Sequence, residues 1–403
     1  MIQSFWKNKP VEIIHNKSRI HEQILPTKVL LEKLETEISE SKTQLDYIVY
    51  NGQELSESKM KDILMFINKY YLTSNCKTYS LIYTYELLHF YCKNALIIEF
   101  YPKNTNKQNN TVPIGYIFGK KTNIKIYGNE FSCLEVNFLC IMPVLRKLKL
   151  SSYMINILSK ECIIKYDDIT LACYTIQAEI NSPSFCQKQF YHRLLSIETL
   201  RNCQFLPSDI DMNLFKKVHN TFKYNIECKS QFRIKYIYNG MNDNTPVDSN
   251  LIKILYEKYI EYSSKTYDIY QNISFEEFSK TFYNKSFYHF IIYKDDTIVS
   301  YICMFRIDVL NSITNLIYRN GYLYYMFFEE NHNTKLLNKQ NYLEFIHEFI
   351  YHNNIFDLTS FTDIFDIDYN IVKCIPGSGT LSYYLFNMKL NVIKNSKNGL
   401  ITI

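Results

Sequence analysis

The chain predicts a mixed α/β fold built from two similar rounds of structure. Three observations carry this: a helix followed by a hairpin occurs twice, β-rich apolar runs alternate with helical patterns in βαβ fashion, and 47% of the 403 residues are hydrophobic. In the first round Met60, Ile63, Leu64, Ile67 and Tyr70 recur at helical spacing. Strand-type runs follow at Leu96-Ile-Ile-Glu-Phe100, at Ile114-Gly-Tyr-Ile117 and from Cys133 to Cys140, with the polar tract 104–110 as a hairpin loop. In the second round Leu251, Ile254, Leu255 and Ile260 mark a helix. Phe290-Ile-Ile-Tyr293, a turn at Lys294-Asp-Asp296 and Ile298-Val-Ser-Tyr-Ile-Cys303 then read as a hairpin. Helix and hairpin, twice, imply an internal duplication too divergent to show as identity. The first unit is expected to span residues 1–205 and the second 206–403, with 206–230 as an irregular connector.

Composition narrows the function. The hydrophobic share is ample for a core, so disorder is excluded. The 36 Tyr and 27 Phe accompany abundant Asn, Lys and Ile, which reads as AT-rich codon bias rather than a base-stacking surface. A net charge of +5 suits an anionic ligand but lacks the clustered excess of a nucleic-acid binder. Eleven scattered cysteines, an odd count with no Cys-x-x-Cys pair and no signal peptide, point to reduced thiols in a cytoplasmic protein. No apolar run reaches the roughly 18 residues of a membrane span. No metal is expected. His347 and His352 are five apart, whereas His-Glu-x-x-His zinc sites need four.

One stretch carries chemistry. Glu135-Val-Asn-Phe-Leu-Cys140 reads as a buried strand, broken at Pro143 and followed by Arg146, Lys147 and Lys149. Ser151 and Ser152 can then cap the helix that begins at Tyr153. Strand, basic turn and helix N-terminus form an anion-binding arrangement in which backbone N–H groups and cations face the ligand. A pyrophosphate fits it, and the absence of Gly-Lys-Ser/Thr argues against a P-loop. A solvated basic turn after a core strand is the alternative from spacing alone.

These residues resemble the E-I-N-F-L-C-x-H-K signature of glycylpeptide N-myristoyltransferases. Phe5-Trp6 with Pro10-Val11 is similar to that family's core start, and Ile67-Asn-Lys-Tyr-Tyr71 with Glu86-Leu-Leu88 to its next landmark. Tyr174-Thr175 and Phe190-Tyr-His-Arg193 resemble its Y-T and Y-W-H-R. Lys373 to Gly379, Leu381 and Tyr383-Tyr-Leu-Phe-Asn387 resemble K-F-G-x-G-D-G-x-L-x-Y-Y-L-Y-N, and Gly399-Leu-Ile-Thr-Ile403 the family's terminus.

The resemblance implies two fused GNAT-like acyltransferase halves with pseudo-twofold symmetry, the first binding acyl-CoA and the second the peptide, with the C-terminus returning to the active site. It implies a monomeric enzyme with myristoyl-CoA as co-substrate and proteins with an N-terminal glycine as partners. No nucleic acid or membrane span enters. Residue 2 is Ile, so the chain is not its own substrate. With no recognisable nucleophile elbow, the amine would attack the thioester directly. By resemblance, the backbone amides of Phe138 and Leu139 form the oxyanion hole. The Ile403 α-carboxylate is the base, and Asn137 and Thr175 hold the glycine amine. Ser4, Phe5, Trp6, Cys140, Ile141, Arg146, Lys147, Lys149, Leu150 and Ser151 would contact the CoA. Tyr79, Leu81, Phe190, His192, Cys303 and Tyr322 would line the peptide groove.

The departures concern the peptide. Family His-Lys is Met142-Pro143 here, the acidic loop aligns with Thr73-Ser-Asn-Cys76, the Asp of K-F-G-x-G-D-G is Ser378, and the Gly after Y-T-x is Gln177. Two other readings stand beside the leading one: a GNAT-type enzyme moving short acyl groups to amines, and a degenerate homologue that binds acyl-CoA or peptide without turnover.

Overall fold

The structure, a computed structural model, describes residues 5–6, 9–15, 19–71, 78–103, 112–177, 180, 182–222, 232–239, 247–329 and 335–402, with backbone alone at 335–338. Strands β1 (Val11–Ile14) and β2 (His21–Gln23) and helix α1 (Thr27–Ser39) come first. The first round is β3 (Leu45–Asn51), α2 (Glu57–Tyr70), β4 (Tyr79–Ile82), α3 (Tyr85–Cys92), β5 (Ala95–Pro102), β6 (Gly115–Ile126), β7 (Asn129–Ile141), α4 (Leu150–Lys165), β8 (Leu171–Ile176) and β9 (Cys186–Leu194). Helices α5 (Ile197–Asn202) and α6 (Met212–His219) connect to the second. That round is β10 (Phe232–Ile237), α7 (Ser249–Thr266), β11 (Ile269–Gln271), α8 (Phe275–Thr281), β12 (Phe287–Lys294), β13 (Thr297–Asn311), β14 (Leu316–Phe328), α9 (Lys335–His352), β15 (Leu358–Thr362) and β16 (Cys374–Phe386), closed by β17 (Met388–Asn391). The order of elements is the same in both rounds.

Local chemistry explains the helix starts. Ser56 accepts from the Lys59 amide at the head of α2, and Thr84 from Leu87 at α3. Asp248 does the same for α7, and Ser274 for α8. Residues 206–230, expected to be irregular, contain α6. Asp211 caps it through the Asn213 and Leu214 amides.

Strands of both rounds share one sheet, ordered β10-β12-β13-β14-β15-β9-β16-β8-β7-β6-β5-β3. Beyond the central pair the sequence is mirrored, but the pair itself is exchanged: β9 of the first round joins β15, and β16 of the second joins β8. A second exchange repeats the device, since β4 pairs with β13 and β11 with β6. The sheet is covered on both faces. Along β5, Leu96, Ile98 and Phe100 enter one apolar cluster with α1 and α4, while Ala95 and Ile97 enter the other with α2 and α3. That is why β5 reads as a continuous apolar run instead of an alternating one.

Reciprocal exchange makes each round the completion of the other. Residues 1–205 or 206–403 alone would expose the strand edges that the partner covers. Expressed separately, neither fragment is expected to give a cooperative unfolding transition, followed by circular dichroism in urea, whereas co-expression restores one.

Candidate active site

Strand β7 carries a bulge at its functional end. Tyr116 pairs with Cys140 and Phe118 with Asn137, so Ile117 alone faces both Phe138 and Leu139. Phe138 takes φ 49°, left-handed for a residue with a side chain. Such a conformation costs on the order of 1–3 kcal/mol. The wholly buried Phe138 ring offsets it, packing against Tyr71 and Tyr83 at 5.2 Å each, Tyr91 at 5.2 Å and Phe118 at 5.1 Å. Each such aromatic pair contributes about 0.5–1.5 kcal/mol beyond area burial. The bulge is therefore clamped from behind.

Neighbouring elements fix that clamp. Asn68, near the end of α2, donates to the Tyr83 carbonyl at 3.0 Å and accepts from its amide at 2.9 Å. The Tyr91 hydroxyl donates to the Glu135 carbonyl at 3.2 Å. Burial pushes the Glu135 carboxyl up to about 7, with Lys120 working against the shift.

In front of the bulge lies a cavity of about 410 Å³. One arm is lined by Trp6, Lys9, Ile155, Asn156, Ser159, Ala172 and Tyr174, the other by Tyr71, Leu81, Tyr83, Phe190, Phe305, Ile307, Tyr322 and Phe361. Asn137, Phe138, Leu139 and Thr175 belong to the same lining, as do Ile401 and Thr402. Among the described lining residues Lys9 is the one charged side chain. Its Nζ meets Glu37 Oε2 at 2.5 Å and donates to Asn156 Oδ1 at 2.9 Å. Trp6, buried, stacks on Tyr174 at 5.1 Å, and Tyr174 on Tyr384 at 5.2 Å.

Of the residues singled out from sequence, Trp6, Leu81, Asn137, Phe138, Leu139, Thr175, Phe190 and Tyr322 line this cavity. Phe5 packs edge-on against Trp6. Ser4, Ile403 and the segment 73–76 lie outside the described residues. Cys140 and Ile141 are buried and lead from the cavity to the basic turn. Tyr79 points the other way, its hydroxyl donating to the carbonyls of Cys203 and Gln204. His192 stands behind the wall: its Nδ1 is 2.8 Å from the Oγ of the lining residue Ser360, and burial pushes the imidazole down to about 4. Cys303 is wholly buried and outside the lining; Phe305 and Ile307, two and four positions on, reach the cavity instead. The stretch of β13 before them runs beneath α8, where Tyr301 packs on Phe278.

The basic turn differs from its expected form. Helix α4 begins at Leu150, earlier than the serines, and Lys149 precedes it at φ 59° with no side-chain cap. Ser151 and Ser152 therefore sit within the first turn. Arg146, Lys147 and Lys149 are exposed. The Arg146 guanidinium braces the turn, donating to the Ile141 carbonyl at 3.1 Å and to the Tyr70 carbonyl.

The family model described as "Myristoyl-CoA:protein N-myristoyltransferase, N-terminal domain" matches residues 27–186. Similarity continues beyond it: the glycylpeptide N-tetradecanoyltransferase of Eremothecium gossypii is 21% identical over 415 residues, covering 97% of this chain and 86% of that protein. Along nearly its whole length, the chain is similar to N-myristoyltransferases. The Kluyveromyces lactis member is 24% identical over 249 residues, 61% of this chain and 49% of that protein. Saccharomyces cerevisiae N-myristoyltransferase, solved with bound myristoyl-CoA, shares the fold at TM-score 0.76 and 18% identity over 99% of both chains. Among the described residues no helix is long and apolar enough to cross a membrane, and no group of three or more His, Cys, Asp or Glu could hold a metal.

Sequence reasoning missed Tyr71, Tyr83, Lys9 and the α4 face of Ile155, Asn156 and Ser159. Helical spacing joins the last three, but nothing local shows which face of a buried helix meets a void. The bulge sets the energetics of the site. Phe138→Ala should lower stability in urea unfolding by about 3–5 kcal/mol, the range for a buried Phe. Leu139→Ala, half-exposed at the cavity, should cost less than about 2 kcal/mol in the same measurement.

Proposed function

We propose that this chain transfers myristate from myristoyl-CoA to the N-terminal glycine amine of protein substrates, by direct attack of the amine on the thioester. The observation that carries the reading is the clamped bulge at Phe138 in the lining of a largely apolar cavity. Similarity to N-myristoyltransferases supports the reaction class, N-acyl transfer. The acyl chain occupies the arm of Trp6, Ile155 and Tyr174, and the peptide enters past Leu81, Phe190 and Tyr322. Lys147, Lys149 and the uncapped first turn of α4 receive the CoA phosphates, while Arg146 holds the turn in shape.

In this mechanism the amides of Phe138 and Leu139 stabilise the developing oxyanion, each such donor contributing about 3 kcal/mol. The Phe138 amide here donates to Asn137 Oδ1 at 2.8 Å, and the Tyr71 hydroxyl donates to the same oxygen at 3.1 Å. An incoming ammonium is a stronger donor to that oxygen than an amide. Binding the glycine amine on Asn137 thus draws its side chain off Phe138 and releases the amide for the oxyanion. Thr175 Oγ1 lies 3.4 Å from Thr402 Oγ1, which brings the C-terminal segment beside the reacting amine. The α-carboxylate of Ile403 then takes the proton; an α-amino group titrates near ~8, so a modest base suffices.

Purified protein mixed with myristoyl-CoA and a Gly-initiated peptide should release CoA-SH and yield acylated peptide by mass, and an Ala-initiated peptide should give neither. Release of CoA by water alone, or binding without product, would replace this reading with that of a binding homologue. A chain extended beyond Ile403 by a short Gly-Ser tail should lose about 100-fold or more in kcat, a typical general-base contribution. Its affinity for myristoyl-CoA should stay within about twofold, by calorimetric titration.

A further inference from the structure

Strand β9 places Cys186, Lys188 and Phe190 on one face by its two-residue period, and Phe190 lines the cavity. Lys188 between them is wholly buried. A buried ammonium is retained only where partners replace its water. Here its Nζ donates to the Asn398 carbonyl at 2.5 Å and stands 5.0 Å from the centre of the Tyr383 ring. The C-terminal segment crosses this same face. The Cys186 thiol donates to Asn395 Oδ1 at 3.4 Å, and Asn395 Nδ2 donates to Asp363, whose other oxygen accepts from the Gln189 amide at 3.0 Å.

Beyond Asn398 the path is tightly constrained. Asn398, itself wholly buried, accepts from the Leu400 amide at 3.0 Å, and the Gly399 amide donates to the Ile269 carbonyl at 2.7 Å. A Cβ on Gly399 would stand 2.4 Å from the Tyr267 ring, so only glycine passes there. Ile401 and Thr402 then emerge in the cavity.

We infer that Lys188 is a positioning residue, a cationic clamp on the Asn398 carbonyl that sets where the last residues of the chain enter the cavity beside Thr175. The inference rests on the proposed reaction only in giving that segment a part in turnover. A carbonyl on a chain segment bound to the fold by a few contacts is held best by a charged donor, because charge-assisted bonds are about twice as strong as neutral ones. Burial pushes the Lys188 ammonium down to about 8, with Cys186 and Asp363 acting against the shift, so it is still largely charged near neutral pH.

The test is Lys188→Met, which keeps the stem and removes the donor, read first by hydrogen exchange of residues 399–402 without any substrate. Exchange there is expected to rise tenfold or more, with the peptides of β6 and β7 unchanged, and carboxypeptidase should trim the variant faster than the wild type. Turnover should show kcat down tenfold or more, with myristoyl-CoA affinity within about twofold. Wild-type protection of 399–402 in a folded variant overturns the clamp. A loosened segment with unchanged kcat leaves the clamp standing and overturns the segment's part in the reaction. Should Lys188→Met not fold, Lys188→Gln offers a donor on a shorter stem: intermediate exchange supports the clamp, and wild-type exchange overturns it.

Discussion

Reciprocal exchange of strands between the two rounds is the constraint on which the rest of the molecule depends. Because β9 pairs with β15 while β16 pairs with β8, neither round owns a complete sheet. The exchanges of β4 to β13 and β11 to β6 tie the rounds together again further out. Buried polar contacts follow the same seam: Lys120 of β6 pairs with Glu277 of α8, and Gln271 of β11 donates to Glu135 of β7 at 3.3 Å. Pairing across the seam leaves few edges open, and edges are what an isolated half would expose.

The cavity lies at this seam. Its two arms draw on different apolar clusters, one built around α1 and α4 and the other around α2, α3, β13 and β14. Between them stands the Phe138 bulge, held in a left-handed conformation by four aromatic rings and by Asn68 acting through Tyr83. The strain is thus offset by aromatic packing around the Phe138 ring. The arm of Leu81, Phe190 and Tyr322 is correspondingly plain. Its described lining carries no carboxylate, in keeping with Ser378 at a position where the family pattern has Asp.

The end of the chain belongs to the same design. β17 pairs with β1 and β2 at one flank, after which the backbone crosses β9 and Tyr267 to reach the cavity. Lys188, Asn398 and Gly399 each meet one need of that crossing: a charged donor, a buried turn and room for close approach. Gly377 plays a similar part beside the wall, where a Cβ would stand 2.6 Å from His192 Nε2.

The sequence by itself determined the alternation of helices and strands, the duplication and the strand of Asn137 and Phe138, because these rest on local periodicity; the cap it offered, Ser151 and Ser152, falls inside the first turn of α4 instead. It also made Gly399 and the motif around Thr175 legible as landmarks, through their resemblance to a family. Only the tertiary structure decided which round completes which sheet, since pairing partners more than a hundred residues apart leave no trace in local pattern. It alone turned Tyr79 and Cys303 away from the cavity and brought Tyr71, Tyr83 and the α4 face to it. It also placed Lys188, which shares its strand with the equally buried Arg193, on the carbonyl of Asn398. The physical reason is the same in each case: side-chain periodicity fixes a face, but what that face meets is set by contacts distant in the chain.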